Sequence, residues 1–443
     1  MRGAAKRVAA EERQAEIIDL AEDGRGVARA DGKVVFIRGA LPGERVRYRL
    51  LRSRKQADEG ELVAVELASP ERREPPCAHF GTCGGCSLQH LSPDGQRLAK
   101  QKHLLDALQR IGKVQPAQVA APVIGPDWGY RRRARLSVKH VPMKGGVLVG
   151  FREVDSPYVA KLEQCHTLDA RVGKKLRELA ACVEQLDLKT VVPQIEVAAV
   201  EDAVVLVFRV MKAPSNSDRE ALRNFGRNSG FTIYLQPGGL DSVAPLDPPG
   251  VELLFTPDGS DLRAAFRPTD FIQVNDTVNQ QMVRQALDWI APEHGEKVLE
   301  LFCGLGNFTL PLARRGAQVT AVEGDAALVA GARANAKRNG LDIHYEMADL
   351  FKTDWATPWL KQPYGAALLD PPRAGAREIL PAVVAARPSR ILYVSCHPGT
   401  LARDAGYLVH EAGYTLGRVG ILDMFPHTAH VETMALFERR AAG

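Results

Sequence analysis

Short hydrophobic runs separated by turn residues predict an N-terminal all-β region followed, much later, by alternating strands and helices. Between residues 17 and 69, runs such as Val34–Ile37 lie between Asp-Gly and Pro-Gly turns, which is typical of a small β-barrel. From Lys297 onward, buried strands alternate with helical segments, the pattern of a doubly wound α/β sheet. Residues 1–15 are polar, and we expect them to be disordered.

Length and composition are those of a globular protein with several domains. The 443 residues suffice for about three domains, and the 45% hydrophobic and 25% charged fractions are ordinary. No run approaches the roughly 18 consecutive apolar residues of a membrane helix, and the N-terminus lacks the apolar core of a secretory signal. We therefore expect a cytoplasmic protein with no membrane partner, for which a monomer is sufficient.

Basic residues alternate along one predicted strand of the N-terminal region. Arg45, Arg47 and Arg49 share one face of this strand, because side chains alternate in direction along a strand. A solvated face and a phosphate-contacting surface are about equally consistent with this pattern.

A second basic segment, from Trp128 to Lys139, mixes aromatic and charged side chains. Arginine and lysine hold phosphates, and tryptophan or tyrosine stacks on unpaired bases. The segment therefore favours RNA contact over an edge strand protected by charge. The residues that we assign to this role are Trp128, Arg131, Arg132 and Arg133.

Three cysteines lie close together after a proline-rich joint. Cys77, Cys83 and Cys86 fall within ten residues, and the glycines among them let the backbone wrap closely around a ligand. A fourth ligand is needed, and Cys165 is the best candidate. Four thiolates suit either zinc or an iron–sulfur cluster, and the spacing does not choose between them.

Acidic residues follow three successive strands of the C-terminal region. Glu323 ends the second strand, Asp349 follows the third, and Asp370 follows the fourth. The turn Cys303–Asn307 after the first strand has two glycines, with no third at the dinucleotide spacing. These features indicate a crevice for a nucleoside that lacks phosphates, and S-adenosylmethionine fits.

One cysteine and one glutamate are candidates for catalysis. Cys396 follows the buried run Arg390–Val394, so its thiol is expected at the carboxyl edge of the sheet, where ligands bind. Considered alone, Cys396 is more typical of an inert buried residue, but its neighbours in the sequence favour the role of a nucleophile. Glu432 lies among apolar residues, which could raise the pKa of its carboxyl group and so suit it to act as a base. The alternative is that Glu432 is a surface carboxylate on a C-terminal strand.

Three motifs resemble the RNA uracil-5-methyltransferases. They are Asp370-Pro-Pro-Arg-Ala-Gly375, Ser395-Cys-His-Pro398 and His430-Val-Glu-Thr433. The N-terminal strands resemble a TRAM domain, an OB-like RNA-binding module, and the likeness extends over essentially the whole chain. It is strongest to the 23S ribosomal RNA branch, whose members combine a TRAM domain with a four-cysteine iron–sulfur cluster.

The resemblance implies a multidomain fold. Its expected parts are a disordered N-terminus (1–15), a TRAM β-barrel (16–69), a central α+β RNA-binding domain with the iron–sulfur cluster (70–265) and a Rossmann-like methyltransferase (266–443). The implied cluster is [4Fe-4S], with Cys77, Cys83, Cys86 and Cys165 as ligands. The implied contacts to S-adenosylmethionine are Gln273, Phe302, Asn307, Glu323, Asp349 and Asp370, although Asp370 has a substrate contact as its alternative.

The implied activity is methylation of carbon 5 of a specific uridine in 23S ribosomal RNA, most like that of the uracil-1939 enzyme. Cys396 is the implied nucleophile and Glu432 the implied general base. Relatives often have Asn where this chain has His397. The rival interpretations are a radical methylthiotransferase, an RNA-binding protein with a zinc knuckle, and the same chemistry on another ribosomal uridine or on transfer RNA.

Overall fold

The computed structural model describes residues 12–352 and 357–440. The chain divides into two compact units, which are described separately. The first contains the chain up to Lys100 together with Phe151–Ala160 and Phe425–His430, and the second contains the remainder. The domain boundaries expected at residues 69/70 and 265/266 stay predictions.

Six strands form the sheet of the first unit. They are β1 (Glu12–Glu16), β2 (Asp19–Leu20), β3 (Gly26–Ala30), β4 (Lys33–Arg38), β5 (Arg45–Ser53) and β6 (Ala57–Leu67), in the order β1-β5-β6-β4-β3-β2. On β5, Val46, Tyr48 and Leu50 point into the core and the intervening arginines point outward. Alternation along this strand is therefore confirmed, and closure of the sheet into a barrel stays a prediction.

The expected disorder of residues 1–15 is wrong for its last part. Residues 1–11 lie outside the described residues, but Glu12–Glu16 forms β1 and pairs antiparallel with β5. The polar composition misled the sequence argument, because an edge strand with one solvated face needs few apolar residues.

Helix α1 (Pro93–Ala107) follows and ends in a single π-helical turn, Leu108–Gly112. The central part of the second unit then contains β7 (Gln118–Val119), β8 (Arg133–Val141), β9 (Gly146–Gly150), α2 (Ala170–Gly173), α3 (Leu176–Glu184), β10 (Gln194–Ala199), β11 (Val204–Arg209), α4 (Asn216–Ser229), β12 (Thr232–Gln236), β13 (Ala244–Pro245), β14 (Leu253–Phe255) and β15 (Ala264–Phe266). One sheet has the order β13-β12-β11-β10-β8-β9, and β14 pairs with β15.

The C-terminal part of the second unit alternates helices and strands. Its elements are α5 (Asp276–Ile290), β16 (Lys297–Leu301), α6 (Thr309–Arg314), β17 (Gln318–Glu323), α7 (Ala326–Arg338), β18 (His344–Met347), β19 (Ala366–Leu369), α8 (Leu380–Ala385), β20 (Arg390–Ser395), α9 (Pro398–His410), β21 (Tyr414–Leu422) and β22 (Glu432–Arg439). The predicted alternation of strands and helices is thus confirmed, and the predicted run Arg390–Val394 differs from β20 by one residue.

The topology of this sheet decides which residues meet at its edge. Its order is β18-β17-β16-β19-β20-β22-β21-β7, and the first five of these strands are parallel. β22 runs antiparallel to both of its neighbours. The amino end of β22 therefore lies beside the carboxyl ends of the parallel strands. Among the residues that the structure describes, no helix is long and apolar enough to cross a membrane.

Candidate active site

The register of β20 and β22 brings Cys396 and Glu432 opposite each other. Ser395, the last residue of β20, pairs with Thr433, the second residue of β22, and the Thr433 hydroxyl donates to the Ser395 carbonyl at 2.9 Å. One step further along the same antiparallel register, Cys396 faces Glu432. Cys396 is exposed, whereas Glu432 is only 4% exposed. An accessible thiol thus lies next to a buried carboxyl group.

The environment raises the pKa of both groups. Burial, together with the negative charges of Glu432 and Asp370, raises the pKa of the Cys396 thiol to about 11, while the charge of Arg373 acts in the opposite direction. Burial and the charge of Asp370 raise the pKa of Glu432 to about 8. Near neutral pH, therefore, Glu432 exchanges its proton readily and Cys396 is a thiol.

Asp370 lies at the carboxyl end of β19, between the end of β16 and the end of β20. Burial raises the pKa of its carboxyl group to about 7. Three acidic side chains with raised pKa values are present at or near this edge, because Glu300 on β16 is also buried and its pKa is raised to about 8. Such grouping of perturbed carboxyl groups is characteristic of functional sites.

His397 caps the helix that follows the candidate nucleophile. Its backbone is extended, Pro398 is the first helical residue, and the Thr400 N–H donates to His397 Nδ1 at 3.1 Å. An asparagine oxygen accepts the same bond in the ordinary N-cap arrangement. His397 therefore preserves the helix cap although relatives often have Asn at this position. The hydrogen bond requires Nδ1 of His397 to be the ring nitrogen without a proton.

Glu323 binds the glycine-containing turn that follows β16. One of its carboxylate oxygens accepts from the Gly304 N–H at 3.0 Å, and the other accepts from Gly324 and Asp325 at 2.7 and 3.1 Å. An ionised carboxylate has about four acceptor sites. The side chain can thus accept one further hydroxyl donor, and an acid at the end of this strand typically bonds a ribose hydroxyl.

Asn307 is held by a residue that the sequence analysis missed. Its amide and that of Asn279 on α5 form two reciprocal hydrogen bonds of 2.9 and 3.0 Å, and Asn279 also donates to the Pro257 carbonyl. Asn279 is fully buried. In the sequence, Asn279 stands out only as a polar residue among the apolar positions of α5, and the sequence does not reveal that Asn307 is its partner.

Two phenylalanines lie beside this turn. Phe302 has a φ of +63°, a conformation that side chains with a Cβ rarely adopt, and its ring packs against Phe351 with centroids 5.8 Å apart. Asp349 is exposed, and its pKa is lowered by hydrogen bonds from the Phe351 N–H and from Lys352. Gln273 is buried in the segment that leads into α5. The six predicted cofactor contacts therefore include five around the carboxyl ends of β16 to β19.

The cysteine loop of the first unit is shaped by backbone hydrogen bonds. The Gly84 N–H donates to the Arg152 carbonyl, the Val154 N–H donates to the Thr82 carbonyl, and the Gly85 N–H donates to Cys83 Sγ at 3.4 Å. A Cβ on Gly85 would lie 3.3 Å from the Phe151 ring, which explains the glycine. N–H···S bonds of this kind accompany thiolate ligands.

Among the residues that the structure describes, these cysteines are not part of a group that could bind a metal ion. Cys77, Cys83 and Cys86 are half-buried in the first unit, and Cys165, half-buried in the second, lies 3.3 Å from the Thr167 hydroxyl. Within residues 12–352 and 357–440, no group of three or more His, Cys, Asp or Glu side chains has the spacing to hold a metal ion. Four thiols are nevertheless a donor set that fits an iron–sulfur cluster.

The arginines of β5 are exposed but not isolated from acids. Arg47 and Arg49 pair with Glu12 at 3.0 and 3.8 Å, and Arg45 pairs with Glu66 at 3.5 Å. The sequence segment contains no acid, but the neighbouring strands β1 and β6 supply them. Solvent-exposed pairs of this kind are weak and exchange readily with phosphate.

Two of the predicted RNA-contacting arginines are held by bonds within the protein. Arg132 is 7% exposed and pairs with Asp276, and Arg133 donates to the carbonyls of Val197 and Pro268. Arg132 is buried and Arg133 is half-buried, and contact with RNA would require these bonds to break. The assignment of both to RNA stays a prediction that this geometry opposes. Arg131 and Trp128 are half-buried, and the Trp128 ring packs edge-on against His166. The exposed basic residues of this strand are Arg135 and Lys139.

Comparison with known families identifies the chain. The family model described as tRNA (Uracil-5-)-methyltransferase matches residues 97–349 and 361–440, and the TRAM domain model matches residues 8–63. The chain belongs to the RNA uracil-5-methyltransferase family. The resemblance noted in the sequence is thereby confirmed, as are the N-terminal TRAM domain and the Rossmann-like methyltransferase fold.

Relatives of this methyltransferase resemble it along nearly its whole length. A 23S rRNA (uracil(1939)-C(5))-methyltransferase of Stenotrophomonas maltophilia is 53% identical over 96% of this chain and 97% of its own length. That of Alkalilimnicola ehrlichii is 52% identical over 96% of both. The solved tRNA (uracil-54, C5)-methyltransferase of Pyrococcus abyssi, in complex with S-adenosyl-L-homocysteine, superposes with a TM-score of 0.72 at 22% identity, covering 96% of this chain and 100% of that one.

Proposed function

We propose that this methyltransferase modifies carbon 5 of uridine 1939 in 23S ribosomal RNA, with S-adenosylmethionine as the methyl donor. The observation that carries the proposal is the register that sets Cys396 opposite Glu432 at the carboxyl edge of the sheet. The names and high identity of the relatives support the choice of RNA and of uridine.

The chemistry requires one nucleophile and one base. Carbon 5 of uracil is a poor nucleophile, and addition of the Cys396 thiolate to carbon 6 breaks the carbon 5–carbon 6 π bond and gives carbon 5 enolate character. Carbon 5 would take the electrophilic methyl group that the bound donor supplies, while the bond between that methyl carbon and the sulfonium sulfur breaks and the donor leaves as a neutral thioether. Glu432 then removes the proton of carbon 5, the π bond re-forms, and the sulfur leaves as a thiolate.

The raised pKa of Glu432 suits this role. A base works best when its pKa lies near the operating pH, and burial moves that of Glu432 to about 8. Cys396 must lose its proton before attack, and its raised pKa makes the free thiolate scarce. The cationic side chain of Arg373 lowers the pKa of Cys396 and favours the reactive form.

The methyl donor would bind along the carboxyl ends of β16 to β19. Glu323 would accept one ribose hydroxyl, and the rings of Phe302 and Phe351 offer apolar faces for the adenine. Asn307, fixed by Asn279, would contact the donor from the turn. Gln273, Asp349 and Asp370 complete the proposed set.

The target base must be unpaired or flipped out, because carbon 5 is inaccessible in a stacked helix. Exposed Arg45, Arg47 and Arg49 on the TRAM sheet are candidates for phosphate contacts. Arg135 and Lys139 on β8, which are exposed, take the place of the buried Arg132 and the half-buried Arg133 in this proposal.

We also propose that Cys77, Cys83, Cys86 and Cys165 hold a [4Fe-4S] cluster. Support comes from the three cysteines within ten residues and from the Gly85 N–H that points at Cys83 Sγ. The expected role is structural, since such a cluster would fix a loop-rich segment. Iron and acid-labile sulfide in anaerobically purified protein, lost on Cys83→Ser, would be the supporting result, and stoichiometric zinc would contradict it.

Methyl transfer to mapped RNA tests the activity. The protein is incubated with methyl-labelled S-adenosylmethionine and, separately, with unmodified 23S ribosomal RNA and transfer RNA, and Cys396→Ala is the control. Label at uridine 1939, absent with the variant, is expected. Label only in transfer RNA would support the second candidate substrate, which the description of the family model favours. No transfer to either RNA would contradict the proposal.

A further inference from the structure

A buried carboxylate connects the strand of the nucleophile with the Asp370–Ala376 loop, which follows β19. Asp404 on α9 is 1% exposed. Its Oδ2 accepts from the Tyr393 hydroxyl at 2.7 Å and from the Ala376 N–H at 2.9 Å, and its Oδ1 accepts from Arg403 Nε at 2.8 Å. Tyr393 lies on β20 and precedes Cys396, the residue directly after that strand, by three residues.

Two further side chains of α9 hold the same loop. Arg403 Nη2 donates to the Ala374 carbonyl at 3.0 Å, and the Thr400 hydroxyl shares its one proton between the His397 carbonyl at 3.0 Å and the Arg373 carbonyl at 3.3 Å. Gly375 has a φ of +84°, and a Cβ there would lie 2.6 Å from Arg403 Nη2 and 2.7 Å from Asp404 Oδ2. The loop therefore packs against Asp404 so closely that only glycine fits.

This loop carries the two charges that act on the Cys396 thiol from outside its own strand pair. Asp370 begins the loop and raises the pKa of Cys396, and Arg373 in its middle lowers it. The positions of both charges relative to the sulfur depend on where the loop lies. Asp404 fixes that position against Tyr393, a residue of the nucleophile's own strand.

We propose that Asp404, with Tyr393 and Arg403, is a positioning residue for the addition of Cys396 to the substrate base. Asp404 holds the Asp370–Ala376 loop at a fixed position relative to the sulfur, so that the sulfur is aligned with carbon 6 when the attack begins. This inference rests on the proposed function. Misplacement of reacting groups by about 1 Å can slow a reaction roughly 100-fold. Loss of one of the several hydrogen bonds that hold the loop should therefore slow the addition of Cys396 about tenfold.

Two matched tyrosines provide the test. Tyr393 and Tyr414 are both fully buried in the same core, and each hydroxyl donates one hydrogen bond of 2.7 Å, to Asp404 and to the Pro388 carbonyl respectively. Tyr393→Phe and Tyr414→Phe thus remove equivalent bonds, and only the first bond reaches the loop. The readouts are thermal stability, affinity for S-adenosylmethionine and the rate of covalent trapping by 23S RNA that contains 5-fluorouridine.

Trapping measures the chemical steps, because fluorine on carbon 5 cannot be removed as a proton and the adduct persists. We expect both variants to lose similar stability and to bind S-adenosylmethionine as the wild type does. Tyr393→Phe should trap RNA about tenfold more slowly, with an unchanged half-saturating RNA concentration, and Tyr414→Phe should trap it at the wild-type rate. Arg403→Lys, which keeps the charge but not the planar two-armed contact, should also be slow.

Equal trapping rates for the two tyrosine variants would overturn the positioning role, as would a defect in Tyr393→Phe that is confined to donor affinity. Failure of the wild-type protein itself to trap any RNA would instead overturn the proposed function on which the inference rests.

Discussion

Replacement of the proposed base should stop the reaction after the covalent bond has formed. In Glu432→Gln, the thiol of Cys396 remains and the neighbouring negative charge is removed. Because that charge raises the pKa of Cys396, its loss should favour the thiolate and the initial addition. Removal of the carbon 5 proton, by contrast, loses its base. The expected product is a stable protein–RNA adduct that has already received its methyl group.

The size of the effect follows from the buried position of Glu432. A positioned general base contributes roughly 10²–10⁴-fold, and a group that is 4% exposed is difficult for solvent to replace. We therefore expect turnover to fall by about that factor. In the wild type, turnover should rise with pH through about 8, because the base acts only when deprotonated. This rise should be absent from the residual turnover of Glu432→Gln.

The assay is a denaturing gel of protein incubated with RNA and methyl-labelled donor. Labelled RNA that migrates with Glu432→Gln, and not with Cys396→Ala, is the predicted result. Glu438→Gln is the matched control, since it makes the same change at the exposed end of the same strand and should behave as the wild type. Wild-type turnover by Glu432→Gln, or its failure to form an adduct while still binding the donor, would refute the assigned role.

Three other outcomes are expected. The pKa of Glu432 is about 8 in the folded protein and ordinarily 4.5, so the unfolding free energy of the wild type should fall as pH rises between these values. In chemical denaturation, Glu432→Gln should therefore be more stable than the wild type by roughly 1–3 kcal/mol at pH 9, with no difference at pH 5. His397→Asn should keep wild-type turnover and stability, whereas His397→Ala should lose about 1 kcal/mol of stability, and equal stability of the two would contradict the cap. Replacing Arg135 and Lys139 by Gln should lower RNA affinity and flatten the salt dependence of that affinity by about one to two in log–log slope. Arg132→Gln should lower the unfolding free energy by about 1–3 kcal/mol and leave that slope unchanged, because its partner Asp276 is only half-buried.

Strand ends and motifs could be predicted from the sequence because they depend on local patterns. The run Arg390–Val394 and the position of Asp370 after Ala366–Leu369 were both correct, since continuous apolar runs of this length identify buried strands. The glycine turn at residues 303–307 and the acid at Glu323 followed from the same reasoning.

Partners that are distant in sequence could not be predicted. The antiparallel direction of β22, which decides that Glu432 meets Cys396, is a property of the whole sheet. Arg132 and Arg133 read as a basic surface because nothing local shows that Asp276 and backbone carbonyls enclose them. In the sequence, Asp404 is one acidic residue within α9, and only the tertiary structure reveals its bond with Tyr393.

The central claim is that Cys396 and Glu432 act together on one uridine, and identification of the covalent bond tests it most directly. The adduct of Glu432→Gln with 23S ribosomal RNA is digested with protease and nuclease, and the cross-linked fragment is sequenced by mass spectrometry. The account predicts a peptide linked through Cys396 to methylated uridine 1939. A bond to another cysteine, or methylated RNA with no covalent intermediate under any condition, would contradict it.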